Sequence, residues 1–157
     1  MKLILVGKAA AGKDFLKTRL ANKGWHIGVS HTTRPPRVNE VDGKDYHFVD
    51  KDTFLEMIDR GEFVEYMEFN GWYYGQTIED FDQADVMIMS KDGLDMLPSE
   101  YRDLCVVIYL DPPRIDRLER LEYRNDINDT IVRRMKTDDE QFEGFSDYDI
   151  RIKNADF

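Results

Sequence analysis

Short apolar runs alternate with longer amphipathic segments along this chain of 157 residues. The runs at 3–6, 27–29, 86–89, 106–110 and 150–153 have the length and the apolar content that are typical of buried strands. This alternation predicts an α/β domain with a mainly parallel sheet flanked by helices. In such folds, ligands bind at the carboxyl ends of the strands.

The segment 34–76 differs from the rest of the chain because it is rich in aromatic side chains. We therefore predict an inserted α+β region with a small core of its own. Within it, Asp50 or Asp52 can cap a short helix, and Gly61 can end that helix.

The residues 63–69 alternate as expected of a strand. The alternation predicts that Glu65 lies on the same face as Phe63, Met67 and Phe69. A carboxylate on such a face is either an exposed charge or a ligand for a planar group with hydrogen-bond donors. Alternation alone favours the exposed charge, because glutamate is rarely buried without a partner.

A densely charged helix is predicted from Arg114 onwards. Its apolar stripe contains Ile115, Leu118 and Leu121. Another face of this helix carries Arg117, Arg120 and Arg124.

A second helix, capped by Asn128 or Asp129, is predicted to carry Ile131 and Met135. It also carries the neighbouring residues Arg133 and Arg134. Two such helices can form a movable clamp on a phosphate group. Alternatively, their charged faces are exposed to solvent and the arginines pair with nearby acidic residues.

The composition excludes several classes of protein. The hydrophobic content of 41% and the length are those of one soluble domain, and no apolar run reaches the roughly 20 residues that cross a bilayer. The net charge of −10 argues against a general nucleic-acid surface. The single cysteine, Cys105, lies in an apolar run and is expected to be buried and inert. We expect a cytoplasmic protein without nucleic-acid or membrane partners.

A phosphate-binding loop is predicted directly after the first strand. Its residues are Gly7, Lys8, Ala9, Ala10, Ala11, Gly12 and Lys13. Small residues let backbone N–H groups surround an anion at a helix N-terminus, and the lysine reaches the outer phosphates. The pattern ends on Asp14 where serine or threonine is usual, so a cation would have to separate this carboxylate from a nucleotide. The plain alternative is a glycine turn with a solvated lysine.

The segments 30–37 (SHTTRPPR) and 40–49 (EVDGKDYHFV) closely resemble guanylate kinases, which are nucleoside monophosphate kinases of the phosphate-loop class. The resemblance continues through 61–65 and 73–75 and is looser in the second half of the chain. It implies a P-loop NTPase-like parallel sheet flanked by helices, with an inserted nucleoside-monophosphate-binding region and a helical lid.

The same resemblance implies how a single domain is organised. The core would comprise 1–33 and 77–157, the lid would span about 114–140, and the insertion would be 34–76. The sequence ends after its last predicted strand, so the resemblance is to a compact version without the usual C-terminal helix.

The implied activity is transfer of a phosphoryl group from ATP, with Mg²⁺, to GMP or dGMP. The positions that match the family's acceptor-phosphate site are Ser30, Arg34, Arg37, Tyr46 and Tyr74. Two guanidinium groups and several hydroxyl donors suit a phosphate dianion. Glu65 matches the glutamate that reads guanine, and Gln76 would assist it. This resemblance favours the ligand role of Glu65 over the exposed charge.

The resemblance also implies donor-site and catalytic residues. The loop 7–14 would hold the ATP phosphates, and Asn154 matches a position near the donor adenine. Lys13, Arg34, Arg124 and Arg134 would act in catalysis. Arg120 and Arg133 are either further lid residues or surface ion-pair partners.

Besides Asp14, the chain departs from the family pattern at Gln76 and at Ile88 and Ser90, which stand where the family has an aspartate pair. Gln76 replaces a serine or threonine that donates to guanine, which leaves a broader deoxynucleoside monophosphate kinase as an alternative. Ser90 stands where the family places an aspartate, so we predict that Asp14 and Ser90 together replace the usual magnesium ligands. A catalytically inactive interaction module is the remaining alternative, and the assembly is expected to be a monomer or a homodimer.

Overall fold

A computed structural model describes residues 1–124 and 130–154 of the chain. The strands are β1 (Lys2–Gly7), β2 (His31–Thr32), β3 (His47–Phe48), β4 (Phe63–Phe69), β5 (Trp72–Thr77), β6 (Val86–Ile88), β7 (Cys105–Leu110) and β8 (Ile150–Ile152). The helices are α1 (Lys13–Ala21), α2 (Lys51–Asp59), α3 (Ile78–Gln83), α4 (Lys91–Met96), α5 (Ser99–Arg102), α6 (Arg114–Arg124) and α7 (Ile131–Gln141).

The first sheet has the order β6-β1-β7-β8, and all its neighbouring strands are parallel. The predicted parallel α/β sheet is therefore confirmed. Its central strands are fully buried at Ile4, Val6 and Val107, since the sheet is covered on both faces. The register places Gly7 beside Leu110, so the carboxyl ends of β1 and β7 lie together.

The predicted strand at 27–29 is wrong. Only one isolated bridge forms there, between Ile27 and Val86. Gly28 packs so closely that a Cβ atom on it would lie 2.8 Å from the Met87 side chain and 3.0 Å from the Ala84 Cβ. The Gly28 N–H still donates to the Val86 carbonyl at 2.8 Å, and the chain next pairs at β2, in the second sheet.

The second sheet has the order β3-β2-β5-β4. It is mixed, because β2 is parallel to β3 whereas β5 is antiparallel to both β2 and β4. Phe54 of α2 stacks on Phe63 and on Tyr73, with ring centroids 4.4 Å and 5.3 Å apart. These aromatic residues give the second sheet an apolar cluster of its own.

Helix α2 begins and ends largely as predicted. Asp50, and not Asp52, is its N-cap, because the Asp50 carboxylate accepts the Thr53 N–H at 2.7 Å. The helix ends at Asp59, and Gly61 follows with a φ of 69°, a conformation that glycine adopts without steric cost.

The two charged helices differ from their predictions in detail. The N-cap of α7 is Thr130, whose hydroxyl accepts the Arg133 N–H, while the predicted caps Asn128 and Asp129 lie outside the described residues. In α6, Ile115 is exposed and Arg117 is buried. The helix buries Leu121 against Ala10 and Met135. The Arg117 side chain is buried because it donates hydrogen bonds to Ala9 and Asp138. In the two described stretches, no helix is long and apolar enough to cross a membrane.

Candidate functional site

The loop between β1 and α1 has the tight backbone of an anion-binding turn. Ala10 and Gly12 have positive φ values of 60° and 101°, and Gly12 directly precedes the helix. A Cβ atom on Gly7 would lie 2.6 Å from the Leu110 carbonyl oxygen, so only glycine fits there. The predicted strand, loop and helix arrangement is present.

Lys13 lies with its ammonium group inside this loop. The ammonium donates to the carbonyl oxygens of Gly7 and Lys8, at 2.5 Å and 3.0 Å. Burial lowers the pKa of Lys13 to about 8, an effect that the charge of Asp14 partly opposes. The charge of Arg124 also lowers this pKa, which places a predicted lid arginine within electrostatic range of the loop lysine.

The lid helices contact the loop through a residue that the sequence reasoning missed. The Asp138 carboxylate of α7 accepts the Ala9 N–H at 2.8 Å and an N–H of Arg117 at 3.1 Å. Arg117 in turn donates through Nε to the Ala9 carbonyl at 3.0 Å. The third residue of the loop is thus held at both its N–H and its C=O by one ion pair between α6 and α7.

Neighbouring contacts strengthen this attachment. Lys8 pairs with Asp139 at 3.0 Å, and Arg114 pairs with the same carboxylate. Arg120 donates to the Ala10 carbonyl at 2.9 Å, so it contacts the loop and is not only a solvated residue. Arg134 is half-buried on α7, and its role in catalysis stays a prediction.

Asp14 and Ser90 are engaged separately. The Asp14 side chain is 71% exposed and pairs with Lys17 at 3.2 Å. The Ser90 hydroxyl caps α4 by accepting the Gly93 N–H, and it donates to the Met67 sulfur, each at 2.9 Å. Within the described parts of the chain, no group of three or more acidic, histidine or cysteine side chains is arranged to hold a metal ion. The shared metal site of Asp14 and Ser90 stays a prediction.

A second polar cluster lies on the mixed sheet and contains the predicted acceptor-phosphate residues. Arg34 forms a two-pronged ion pair with Glu40, at 2.8 Å and 3.0 Å, and Glu40 also accepts the Arg37 N–H at 2.7 Å. The Arg34 guanidinium lies 5.4 Å from the Tyr46 ring centroid, and the Tyr46 and Tyr74 rings are 6.1 Å apart. Glu40 is a site residue that the sequence did not predict, although it lies within the segment 40–49 that carries the family resemblance.

Glu65 is buried by an irregularity in β4. The ladder pairs Phe63 with Thr77 but Glu65 with Gln76, so two steps along β4 match one step along β5. This bulge turns Glu65 to the face opposite Phe63, and the prediction that those two residues share a face is wrong. The inward turn leaves Glu65 only 8% exposed.

The Glu65 carboxylate has one partner at its Oε1 atom, the Gln76 N–H at 3.0 Å. Burial raises the pKa of Glu65 to about 7, and this hydrogen bond opposes the shift only in part. A Cβ atom on Gly93 would lie 3.0 Å from Glu65 Oε2 and 3.2 Å from Ser90 Oγ. Glycine at position 93 therefore leaves space beside the carboxylate.

A comparison with known protein families shows which family contains a chain with these two polar clusters. The family model described as guanylate kinase matches residues 1–157. The chain belongs to the guanylate kinase family. Two relatives named guanylate kinase are those of Trichodesmium erythraeum, 34% identical over 97% of this chain and 87% of the relative, and of Myxococcus xanthus, 35% identical over 99% and 79%.

A solved structure agrees with this membership. The crystal structure of guanylate kinase from Anaplasma phagocytophilum superposes with a TM-score of 0.75 at 26% identity, covering 99% of this chain and 77% of that one. The fold expected from the guanylate kinase resemblance is thereby confirmed. Asn154 follows β8, whose Ile152 carbonyl accepts the Asp111 N–H, and its contact with a donor base stays a prediction.

Proposed function

We propose that this guanylate kinase family member transfers a phosphoryl group from ATP to GMP or dGMP. The observation that carries the proposal is Glu65, a carboxylate buried on the sheet whose strand β5 also carries Tyr74. Tyr46 lies beside Tyr74, and Arg34 lies beside Tyr46. A base-reading acceptor and a phosphate-binding guanidinium therefore belong to one region. The phosphate loop with Lys13 supplies the donor region.

The chemistry of Glu65 favours guanine. A carboxylate accepts hydrogen bonds from the N1–H and the exocyclic amino group of guanine, and adenine lacks this pair of donors. An adenine acceptor would give the buried carboxylate neither of these two hydrogen bonds, which costs on the order of 1–3 kcal/mol or more. The fit supports a guanine nucleotide over other acceptors.

The remaining residues would hold the two nucleotides and exclude water. Phosphoryl transfer depends mainly on alignment and on positive charge around the moving group. Lys13 and the loop N–H groups would bind the donor phosphates, while Arg34, Arg37 and the tyrosine hydroxyls would bind the acceptor phosphate. Arg124 and Arg134 would close over the donor as the lid moves.

Magnesium would reach this site with the donor phosphates. Mg²⁺ keeps several waters and uses one or two carboxylates together with substrate phosphates, so the exposed Asp14 beside the loop fits as a single protein ligand. When bound, the ion supplies charge compensation for the phosphate oxygens. Ser90 fits less well, because its hydroxyl already bonds to Gly93 and Met67.

We propose a cytoplasmic enzyme. Cys105 is the only cysteine in the chain, and it is a buried free thiol, so the fold does not depend on a disulfide. We propose a monomer or a homodimer whose partners are ATP and GMP.

A coupled assay of ADP production tests the proposal. We expect turnover with GMP and dGMP in the presence of ATP and Mg²⁺, and at least tenfold lower kcat/KM with AMP, dTMP and IMP. Comparable rates with dTMP or AMP would favour the broader deoxynucleoside monophosphate kinase. No turnover with any acceptor, despite a folded protein, would favour the inactive interaction module.

The raised pKa of Glu65 predicts two opposite pH effects. Since only the ionised carboxylate accepts from both guanine donors at once, GMP affinity should fall up to tenfold per pH unit as the pH drops below about 7. The folded state binds this proton more tightly than the unfolded state, so the free energy of unfolding should decline as the pH rises from about 4.5 to 7. Calorimetric GMP titrations and urea unfolding at several pH values measure both effects.

The Glu65→Gln variant is the matched control for these effects. It keeps the size of the side chain but cannot titrate, so it should weaken GMP binding and flatten both pH profiles between pH 5 and 7 relative to the wild type. An unchanged profile in the variant would assign the titration to another group.

A further inference from the structure

Four consecutive carbonyl groups of the phosphate loop, at positions 7 to 10, accept hydrogen bonds from cationic side chains. The Lys13 ammonium donates to the first two of them. Arg117 Nε donates to the third, that of Ala9, at 3.0 Å, and an Arg120 N–H donates to the fourth, that of Ala10, at 2.9 Å. Helix α6 therefore fixes the second half of this row of peptide groups.

The bond to the Ala9 carbonyl also fixes a backbone donor. In a trans peptide the C=O and the N–H point in opposite directions, so the direction of the Ala9 C=O determines that of the Ala10 N–H. The Arg117 side chain thus orients one of the loop N–H groups that the proposed function assigns to the donor phosphates. A loop of this kind binds an anion only while its N–H groups converge.

The other side of Ala9 is held by the same ion pair. The Ala9 N–H donates to Asp138 Oδ2 at 2.8 Å, and this oxygen also accepts an N–H of Arg117 at 3.1 Å. The Arg117 and Asp138 side chains are only 3% and 15% exposed. Charge-assisted hydrogen bonds that are shielded from water are strong and directional, so they can hold a backbone segment in one conformation.

The next residue, Ala10, has a conformation that needs such a restraint. Its φ of 60° lies in the left-handed region, which glycine adopts readily and alanine only at a steric cost. The Ala10 side chain is buried with Leu121 of α6 and Met135 of α7. The turn is therefore held by contacts with the two helices and is not favoured by the loop residue itself.

We propose that Arg117 and Asp138 are positioning residues of the donor site, which hold both sides of Ala9 so that Ala10 keeps the left-handed turn of the phosphate loop. The inference rests on the proposed binding of ATP at this loop. Both residues act on the nucleotide through the loop backbone. Neither belongs to the donor-site residues that the family resemblance implies.

A paired apolar substitution separates positioning from stability. A buried ion pair can be replaced by apolar residues without loss of stability, so Arg117→Met combined with Asp138→Leu should leave the urea midpoint of unfolding near that of the wild type. The Kd for ATP with Mg²⁺, measured by calorimetry, should nevertheless rise about tenfold, because the loop loses two hydrogen bonds. The Kd for GMP should not change.

Two results of this experiment would overturn the proposal. The first is a folded double variant that binds ATP as tightly as the wild type does. The second is an equal loss of affinity for ATP and for GMP, which would indicate a general role in stability. Arg60→Met, which removes an exposed ion pair with Glu62, is the control and should leave both Kd values unchanged.

Ala10→Gly tests the reason for the restraint. Glycine adopts a φ near 60° without the steric cost, so the loop should then depend less on the ion pair. In the Ala10→Gly background, the paired apolar substitution should weaken ATP binding only about twofold relative to Ala10→Gly alone. The same tenfold loss in both backgrounds would contradict the proposal.

Asp138→Asn covers the case in which the double variant does not fold. The carboxamide keeps an acceptor oxygen for the Ala9 N–H and removes only the charge. We expect ATP binding to weaken about threefold, with unchanged GMP binding, because the hydrogen bonds are no longer charge-assisted. Unchanged ATP binding in this variant would contradict the proposal.

Binding without turnover distinguishes this inference from the proposed function. If the wild type binds ATP and GMP but transfers no phosphoryl group, the proposed function is wrong, while the ATP affinities still test Arg117 and Asp138. A wild type that binds no ATP overturns both.

Discussion

Replacing Lys13 with methionine is expected to lower kcat/KM for phosphoryl transfer by on the order of 10²- to 10³-fold. The Lys13 ammonium lies inside the phosphate loop, where it donates to the carbonyls of Gly7 and Lys8. In this enclosed position a cation interacts with phosphate more strongly than it would in water. Methionine keeps the length and packing of the side chain and removes only the charge. Steady-state kinetics with ATP and GMP measure the effect.

The loss should appear mainly in kcat and in the KM for ATP, because Lys13 faces the donor region. Lys23→Met is the matched control, since Lys23 is exposed just beyond the end of α1 and should leave the rate unchanged. Circular dichroism should show a folded Lys13 variant. A folded Lys13→Met protein with wild-type kcat/KM would contradict the assignment of the loop as the donor site.

The strand, loop and helix of the proposed donor site could be predicted from the sequence because their signals are local. Gly7, Gly12 and Lys13 lie between an apolar strand and a helical pattern, and each of these features depends on neighbouring residues. The Asp50 cap and the Gly61 helix end are local in the same sense. The structure contains all of them in the expected order.

The residues of the proposed acceptor site could be named only through the family resemblance. Alternation alone predicts that Glu65 lies on the same face as Phe63. The bulge between them can be recognised only from the pairing of β4 with β5. A strand pattern thus indicated the element but not the direction of its most important side chain. The same limit applies to Gln76, whose partner Ser30 is 46 residues away in sequence.

The contact between the phosphate loop and helices α6 and α7 shows why long-range ion pairs cannot be predicted from sequence patterns. Asp138 meets Ala9 across 129 positions, and Arg117 is buried although it belongs to a predicted polar face. Amphipathic spacing assigns faces by the average polarity of a helix. It does not identify the one arginine whose hydrogen bonds to Ala9 and Asp138 compensate for burial.

Replacing Arg34 with methionine is expected to raise the KM for GMP roughly 100-fold, with little change in the KM for ATP. Arg34 uses three of its five N–H donors in the contacts described, two with Glu40 and one with the Pro35 carbonyl. This leaves the fork formed by Nε and Nη2 for an acceptor phosphate. Arg34→Lys should recover only part of the loss, because an ammonium group cannot bind two phosphate oxygens in this planar fashion. Initial rates at varied GMP concentrations measure both variants.

Glu40→Gln distinguishes two roles of the carboxylate that holds Arg34. If Glu40 orients the guanidinium, as its two-pronged contact indicates, the amide variant should raise the KM for GMP, though less than Arg34→Met does. If Glu40 competes with phosphate for Arg34, the same change should lower that KM. Arg60→Met removes an arginine from an exposed pair with Glu62 and should leave both KM values unchanged. A drop in the KM for GMP in Glu40→Gln would therefore refute the orienting role and leave the assignment of Arg34 to the acceptor phosphate intact.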